Sequence, residues 1–126
     1  MDRTLSIDGK DVRFRATART PRLYRMLIGR DMIRDMNQLR KSYNKVVSIE
    51  ENATEEEKQD AQFSMIDLEL FENAAYIMAR HANPDIKESV DEWLDEFNMF
   101  SIYHILPELL KLWAMNEATT STPKKK

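Results

Sequence analysis

Apolar positions change their spacing along this chain, and each spacing predicts an element. From Leu5 to Ala16 they alternate with period two: Leu5 and Ile7 before Asp8-Gly9, then Val12, Phe14 and Ala16 after it. Alternation places successive side chains on opposite faces of a strand, and Asp-Gly is a strong two-residue turn signal because glycine accepts a positive φ. A hairpin over residues 1–17 follows, with Leu5 opposite Val12 and the apolar side chains on one face. Two strands alone are marginal in water, so that face must lie on helices or join the sheet of another copy.

Thr20-Pro21 reads as N-cap and first helical residue, where the N–H that proline lacks would have had no partner. Ile28, Met32, Met36, Leu39, Tyr43 and Val46 then recur at steps of three and four, one face of a long helix. Leu23 and Leu27 belong to a different face. Gly29 stands where the two faces meet, so a bend or short break is expected there. Thr54-Glu55-Glu56-Glu57 is a capping box. It opens a helix with Phe63, Ile66, Leu70, Ala74, Ile77 and His81 on one stripe, widened by Phe71, Ala75 and Met78. Met65, Leu68, Tyr76 and Ala79 lie behind it, which leaves Glu69, Glu72, Asn73 and Arg80 as a narrow polar wedge. A helix so apolar is either central in its domain or shared with a neighbouring subunit.

Asn83-Pro84 ends that helix, because the residue before proline avoids the helical region. Ser89-Val90-Asp91-Glu92 is a second capping box, ahead of Val90, Trp93, Leu94 and Phe97 at helical spacing. The last periodic stretch carries Ile102, Ile105, Leu106, Leu109 and Trp113, with Pro107 expected to kink or restart it. Residues 117–126 have no apolar period and read as a disordered basic tail. The expected fold is mainly α (α+β): an N-terminal β-hairpin followed by four or five helices, in one domain over residues 1–116.

Composition narrows the possibilities. The 126 residues include two glycines and no cysteine, which suits one helical domain and excludes disulfides, thiolate-bound zinc and a thiol nucleophile. No apolar run approaches the roughly 20 residues of a membrane span. Met1-Asp2-Arg3-Thr4 does not resemble a secretion signal, so the cytoplasm is the expected compartment. The net charge of −3 hides an asymmetry: residues 1–45 hold twelve Lys/Arg against five Asp/Glu, whereas residues 46–123 hold four against seventeen. Such a dipolar chain has two parts that attract, within one copy or between copies.

Candidate chemistry is sparse. His81, on an apolar stripe near a helix end, reads as a packed residue favouring the helix dipole. His104 and Glu108 are i, i+4 neighbours, a helix-surface pair rather than a metal site. Glu69-x-x-Glu72 with Glu88-x-x-Asp91 resembles the paired acidic motifs of all-α nucleotide pyrophosphohydrolases, which hold Mg²⁺ between facing helices. Glu88, however, precedes the Ser89 N-cap and cannot share a helical face with Asp91. Gly9 and Gly29 are the only glycines, so there is no phosphate-cradling loop. Arg22, Arg25, Arg30, Arg34 and Lys41 form a basic side that a nucleic-acid-binding regulator would use, though the acidic bulk of the chain opposes it. A solvated face, or one that meets the acidic half of a neighbour, is the better reading. Methionines suit adaptable surfaces as well as cores. Phe100 and Tyr103, with Met32 and Met36, are the candidate partner-binding residues. No catalytic, cofactor-binding or metal-ligating residue is assigned.

One resemblance emerges from the later half. Leu70-Phe71-Glu72-Asn73-Ala74-Ala75-Tyr76-Ile77-Met78-Ala79, Asn83-Pro84 and Val90-Asp91-Glu92-Trp93-Leu94-Asp95-Glu96-Phe97 carry it, continued by Phe100-Ser101-Ile102-Tyr103, Leu106-Pro107-Glu108-Leu109 and Leu112-Trp113. With its hairpin and Pro-started helix, the chain resembles over residues 1–116 the tail assembly chaperones of long-tailed phages and prophages of Gram-positive bacteria. The resemblance implies a non-enzymatic protein that binds the tape measure protein in the host bacterial cytoplasm while tail-tube subunits polymerise. It implies self-association, a homo-oligomer, absence from the mature virion, no cofactor, and no catalytic residues to carry over. Lys124-Lys125-Lys126 leaves two readings open. It is a solvated tail, or it marks an adenine run on which ribosomes slip backward by one base. The slip would make a longer form that recruits the tail-tube protein.

Overall fold

The computed structural model describes residues 1–52 and 65–120. Strands β1 (Asp2–Ile7) and β2 (Lys10–Arg15) form an antiparallel hairpin with Leu5 opposite Val12. Asp8 and Gly9 both take positive φ, 55° and 77°, the conformation of a type I′ turn whose twist matches that of the strands. The backbones of Met1 and Ala16 exchange hydrogen bonds at 2.9 Å in each direction, adding a rung beyond the strands. Ile7, Phe14 and Ala16 are buried and Leu5 and Val12 partly so, all packed into the helical core. The hairpin therefore finds its cover within its own chain.

Five helices follow among the described residues: α1 (Thr20–Ile28), α2 (Met32–Asn52), α3 (Met65–Ala82), α4 (Val90–Leu94) and α5 (Ile102–Thr120). Thr20 is not the N-cap of α1. Arg19 occupies that position, and the Thr20 hydroxyl instead accepts the Thr17 N–H at 2.8 Å, bracing the turn out of β2. The expected break at Gly29 is present. Gly29 adopts φ 82°, and its N–H reaches back to the carbonyls of Tyr24 and Arg25, the left-handed closure for which glycine is suited. The Asp31 carboxylate then accepts the Ile33 N–H at 3.0 Å and restarts the chain as α2.

The central element is α3. It packs against β2, α1, α2, α4 and α5, and Leu70, Phe71 and every residue from Ala74 to Ala79 are buried. Tyr76 and Ala79, on the back of the expected stripe, are covered as fully as its front; Tyr76 donates to the Lys87 carbonyl at 2.6 Å. Of the two explanations for its apolar surround, central placement is the one realised. Ile66 is the exception, 69% exposed on the first turn. Ser89 caps α4, accepting the Glu92 N–H at 3.1 Å. Helix α5 runs unbroken through Pro107, which costs only one rung of the ladder. Its last residue is Thr120. The Thr54–Glu57 capping box, Phe63 and the Pro123–Lys126 tail lie outside the described residues.

No described helix is long and apolar enough to cross a membrane.

Candidate functional site

The loop between α4 and α5 packs on an aromatic cluster. Trp93, buried, meets Phe97 and Phe100 edge-on at 5.3 Å between ring centroids, and Tyr76 at 5.8 Å. Phe71 of α3 closes the cluster against Phe100 at 5.5 Å. The hairpin turn clamps the same loop from outside: Lys10 lies 5.2 Å over the Phe97 ring and donates to the Glu96 carbonyl, while the Asp8 carboxylate accepts the Asn98 N–H at 2.8 Å. Rings packed at these angles favour one loop conformation, and the cation above Phe97 adds an electrostatic tie.

That loop presents apolar side chains outward. Met99 is 71% exposed and Tyr103 52%, with Phe100 half-buried between them. Tyr103 therefore lies where a partner could reach it, and Phe100 divides its ring between cluster and surface. Met32 and Met36 do not join them. Both are fully buried beneath α1 and α3, since the face they share with Leu39 is the one α2 turns inward. They are core residues and offer no surface. Met99 was not among the sequence candidates, because it lies in a stretch without period where spacing says nothing about direction.

A second concavity, a cleft of about 440 Å³, opens between the first half of α3 and the start of α4. Ile66, Leu68 and Val90 supply its apolar lining, and Glu69, Glu72 and Asp91 its carboxylates. Burial, then the charges of Glu69 and Asp91, push the Glu72 carboxyl above its ordinary value. Helix packing thus brings Asp91 beside the α3 pair, while Glu88, ahead of the Ser89 cap, stays out of the lining. Among the described residues, no three His, Asp or Glu side chains are arranged to hold a metal ion.

The basic side divides in two. Arg30 is engaged: its guanidinium forms a two-pronged pair with Asp35 at 2.7 and 2.9 Å, and the buried Tyr24 hydroxyl donates to the same carboxylate at 2.7 Å. Burial opposes the charge on Asp35, but the hydrogen bonds from Arg30 and Tyr24 outweigh it and hold this carboxyl below the usual range. Arg22, Arg25, Arg34 and Lys41 stay exposed. His81 bonds through Nε2 to the Thr17 hydroxyl at 2.8 Å, tying α3 to the chain between β2 and α1. Burial, then the charges of Arg15 and Arg19, lower its basicity at this end of α3. Glu108 pairs with Arg3 at 2.6 Å and Lys111 at 3.6 Å, which binds α5 to the hairpin in place of the expected His104 pair.

No family model, no curated protein and no solved structure matches this chain. The candidate site accordingly stands on geometry: an outward-facing apolar edge at Met99, Phe100 and Tyr103, and a separate acidic cleft at Glu69, Glu72 and Asp91.

Proposed function

We propose that the chain is a non-enzymatic binding protein, a phage tail assembly chaperone that masks apolar helical stretches of the tape measure protein. The observation that carries this reading is the exposed Met99–Tyr103 edge, set within the stretch whose sequence resembles that chaperone family. An adaptable methionine beside an aromatic ring with a polar tip suits a surface that must accept a succession of apolar client segments. The aromatic cluster beneath holds that edge in place, so little ordering entropy is lost when a client docks. Compartment and fate follow the same reading: the bacterial cytoplasm, and absence from the finished particle.

Co-expression tests it. A phage tape measure protein co-expressed with this chain should stay soluble with the wild type and precipitate when Met99→Asp and Tyr103→Asp are combined. Both positions are exposed, so the variant should keep its helical circular dichroism. A client equally soluble with the double variant, or without the chain at all, would count against the proposal.

A second reading has one observation in its favour, the gathering of Glu69, Glu72 and Asp91 at one cleft. A Mg²⁺-dependent nucleotide pyrophosphohydrolase would release pyrophosphate from nucleoside triphosphates and lose that activity in Glu69→Gln.

A further inference from the structure

The elbow between α1 and α2 holds apolar and charged side chains that the fold does not use. Met26 is 63% exposed, and Leu27 and Ile33 are about half exposed. Single exposed apolar residues are ordinary, but three within one short stretch of chain call for a reason. Gly29, Arg30 and Asp31, at the corner itself, are exposed as well. Arg22, Arg25 and Arg34 project into solvent without an ion-pair partner among the described residues, and of the elbow arginines only Arg30 is neutralised, by Asp35. Asp31 is occupied at the start of α2, where its carboxylate accepts the Ile33 and Arg34 N–H groups. Arg22, Arg25 and Met26 are spaced i, i+3, i+4, opposite the buried Tyr24, so they share the solvent face of α1.

The kind of cation narrows the partner. Between Asp11 and Arg40 there are eight arginines and no lysine. Solubility would be served equally by lysine, whereas protein interfaces enrich arginine and methionine and deplete lysine. Nucleic-acid phosphates also take arginine, but they give an exposed methionine and its aliphatic neighbours nothing to pack on. A bilayer would use those side chains. Yet Tyr24 is buried, so the elbow has no aromatic ring to set at the headgroup level, and α1 is only nine residues long. A protein surface with carboxylates beside an aliphatic stripe fits both halves of the patch. Its carboxylates would take arginine two-pronged, as Asp35 already takes Arg30. A helix suits the spacing, because carboxylates three or four residues apart repeat the interval of Arg22 and Arg25.

We infer that the solvent face of α1 docks an acidic amphipathic helix of another protein, with Arg22 and Arg25 pairing its carboxylates and Met26 packing on its aliphatic stripe. The surface is separate from the Met99–Tyr103 edge, and the inference does not rest on the chaperone reading. Ion pairs at a partly exposed interface are screened, so affinity should fall severalfold as salt rises from about 0.05 M to about 0.5 M.

Fluorescence anisotropy of the full chain with labelled synthetic helices of about 20 residues tests this. One peptide carries a leucine stripe flanked by glutamates. A second has lysines in place of the glutamates, and a third keeps the glutamates but has alanines in place of the leucines. The wild type should bind the first about tenfold more tightly than either of the others. Combining Arg22→Glu with Arg25→Glu should reverse the preference toward the lysine peptide, which also shows that the variant is folded. Met26→Asp should weaken binding of the first peptide severalfold and leave the preference for glutamate over lysine in place. Equal binding of the glutamate and lysine peptides, no binding of the first peptide, or a glutamate preference that survives the double charge reversal would each overturn the inference. Equal binding of the first and third peptides would overturn it too, because the methionine would then have no part. So would another occupant of the same face: a wild-type oligomer in sedimentation velocity that Arg22→Glu with Arg25→Glu disperses, or tighter binding to duplex DNA or to anionic phospholipid vesicles than to the glutamate peptide.

Discussion

The two ends of α3 differ in how completely their surroundings are satisfied. Around its C-terminal end, polar groups have found partners. His81 meets Thr17, the Asn116 amide donates to the Thr17 carbonyl at 3.2 Å, Arg15 pairs with Asp2 at 2.9 Å, and Arg3 pairs with Glu108. Around its N-terminal half, Ile66 stands in water and the carboxylates of Glu69, Glu72 and Asp91 face one another. A small domain must close its own core, and here that is done by laying the hairpin on the C-terminal end of α3. Ion pairs such as Arg15–Asp2 lie near the surface and add little stability each; what they fix is the seating of the hairpin. The unsatisfied end contributes less to folding and is where contact with another molecule gains most.

Substitutions at three positions would break or sharpen this contrast. The largest effect belongs to the closed end. Phe14 is fully buried where the hairpin meets the core, so Phe14→Ala should cost about 3–5 kcal/mol in denaturant unfolding. A loss below about 1 kcal/mol would mean that the hairpin is only loosely seated.

Next is the buried carboxylate that joins α1 to α2. Asp35→Ala leaves the Tyr24 hydroxyl without its acceptor and frees Arg30, an expected loss of about 2 kcal/mol. Because the fold lowers the Asp35 pKa, its contribution is full above the unfolded value of about 3.9 and is lost as pH falls through the lower folded value. Asp35→Asn should therefore flatten that part of the acid limb of the stability curve. An acid limb unchanged from wild type would remove Asp35 from the account.

The smallest effect has the opposite sign and lies at the open end. Folding raises the Glu72 pKa, so its ionised form is the disfavoured one, and stability is lost as pH rises from about 4.3 through the higher folded value. Glu72→Gln should be neutral or stabilising at pH 7, by up to about 0.5 kcal/mol. The gain should vanish near pH 3, where the wild-type carboxyl is protonated. Thermal melts of the two proteins at both pH values would show it, and a clear loss at pH 7 would mean that Glu72 has a partner in the folded protein.

Local rules were enough for most of the elements, though not for the cap of α1 or the end of α4. Period two with Asp-Gly defined the hairpin and its register, and Gly29 marked the break between two helical faces. Asn83-Pro84 ended α3 and Ser89 opened α4, because turns, caps and breakers act within a few residues of themselves. The apolar surround of α3 was equally legible; what it implied was not, since a stripe reports that a face is covered without naming the cover. Only the tertiary structure decided that the cover is this chain's own hairpin and helices. It also decided that Met32 and Met36 point inward while Met99 points out, and that Asp91 joins Glu69 and Glu72 although Glu88 does not. Each of these depends on which elements come together across tens of residues. That is settled by packing and by the partners available to buried charges, neither of which leaves a period in the sequence.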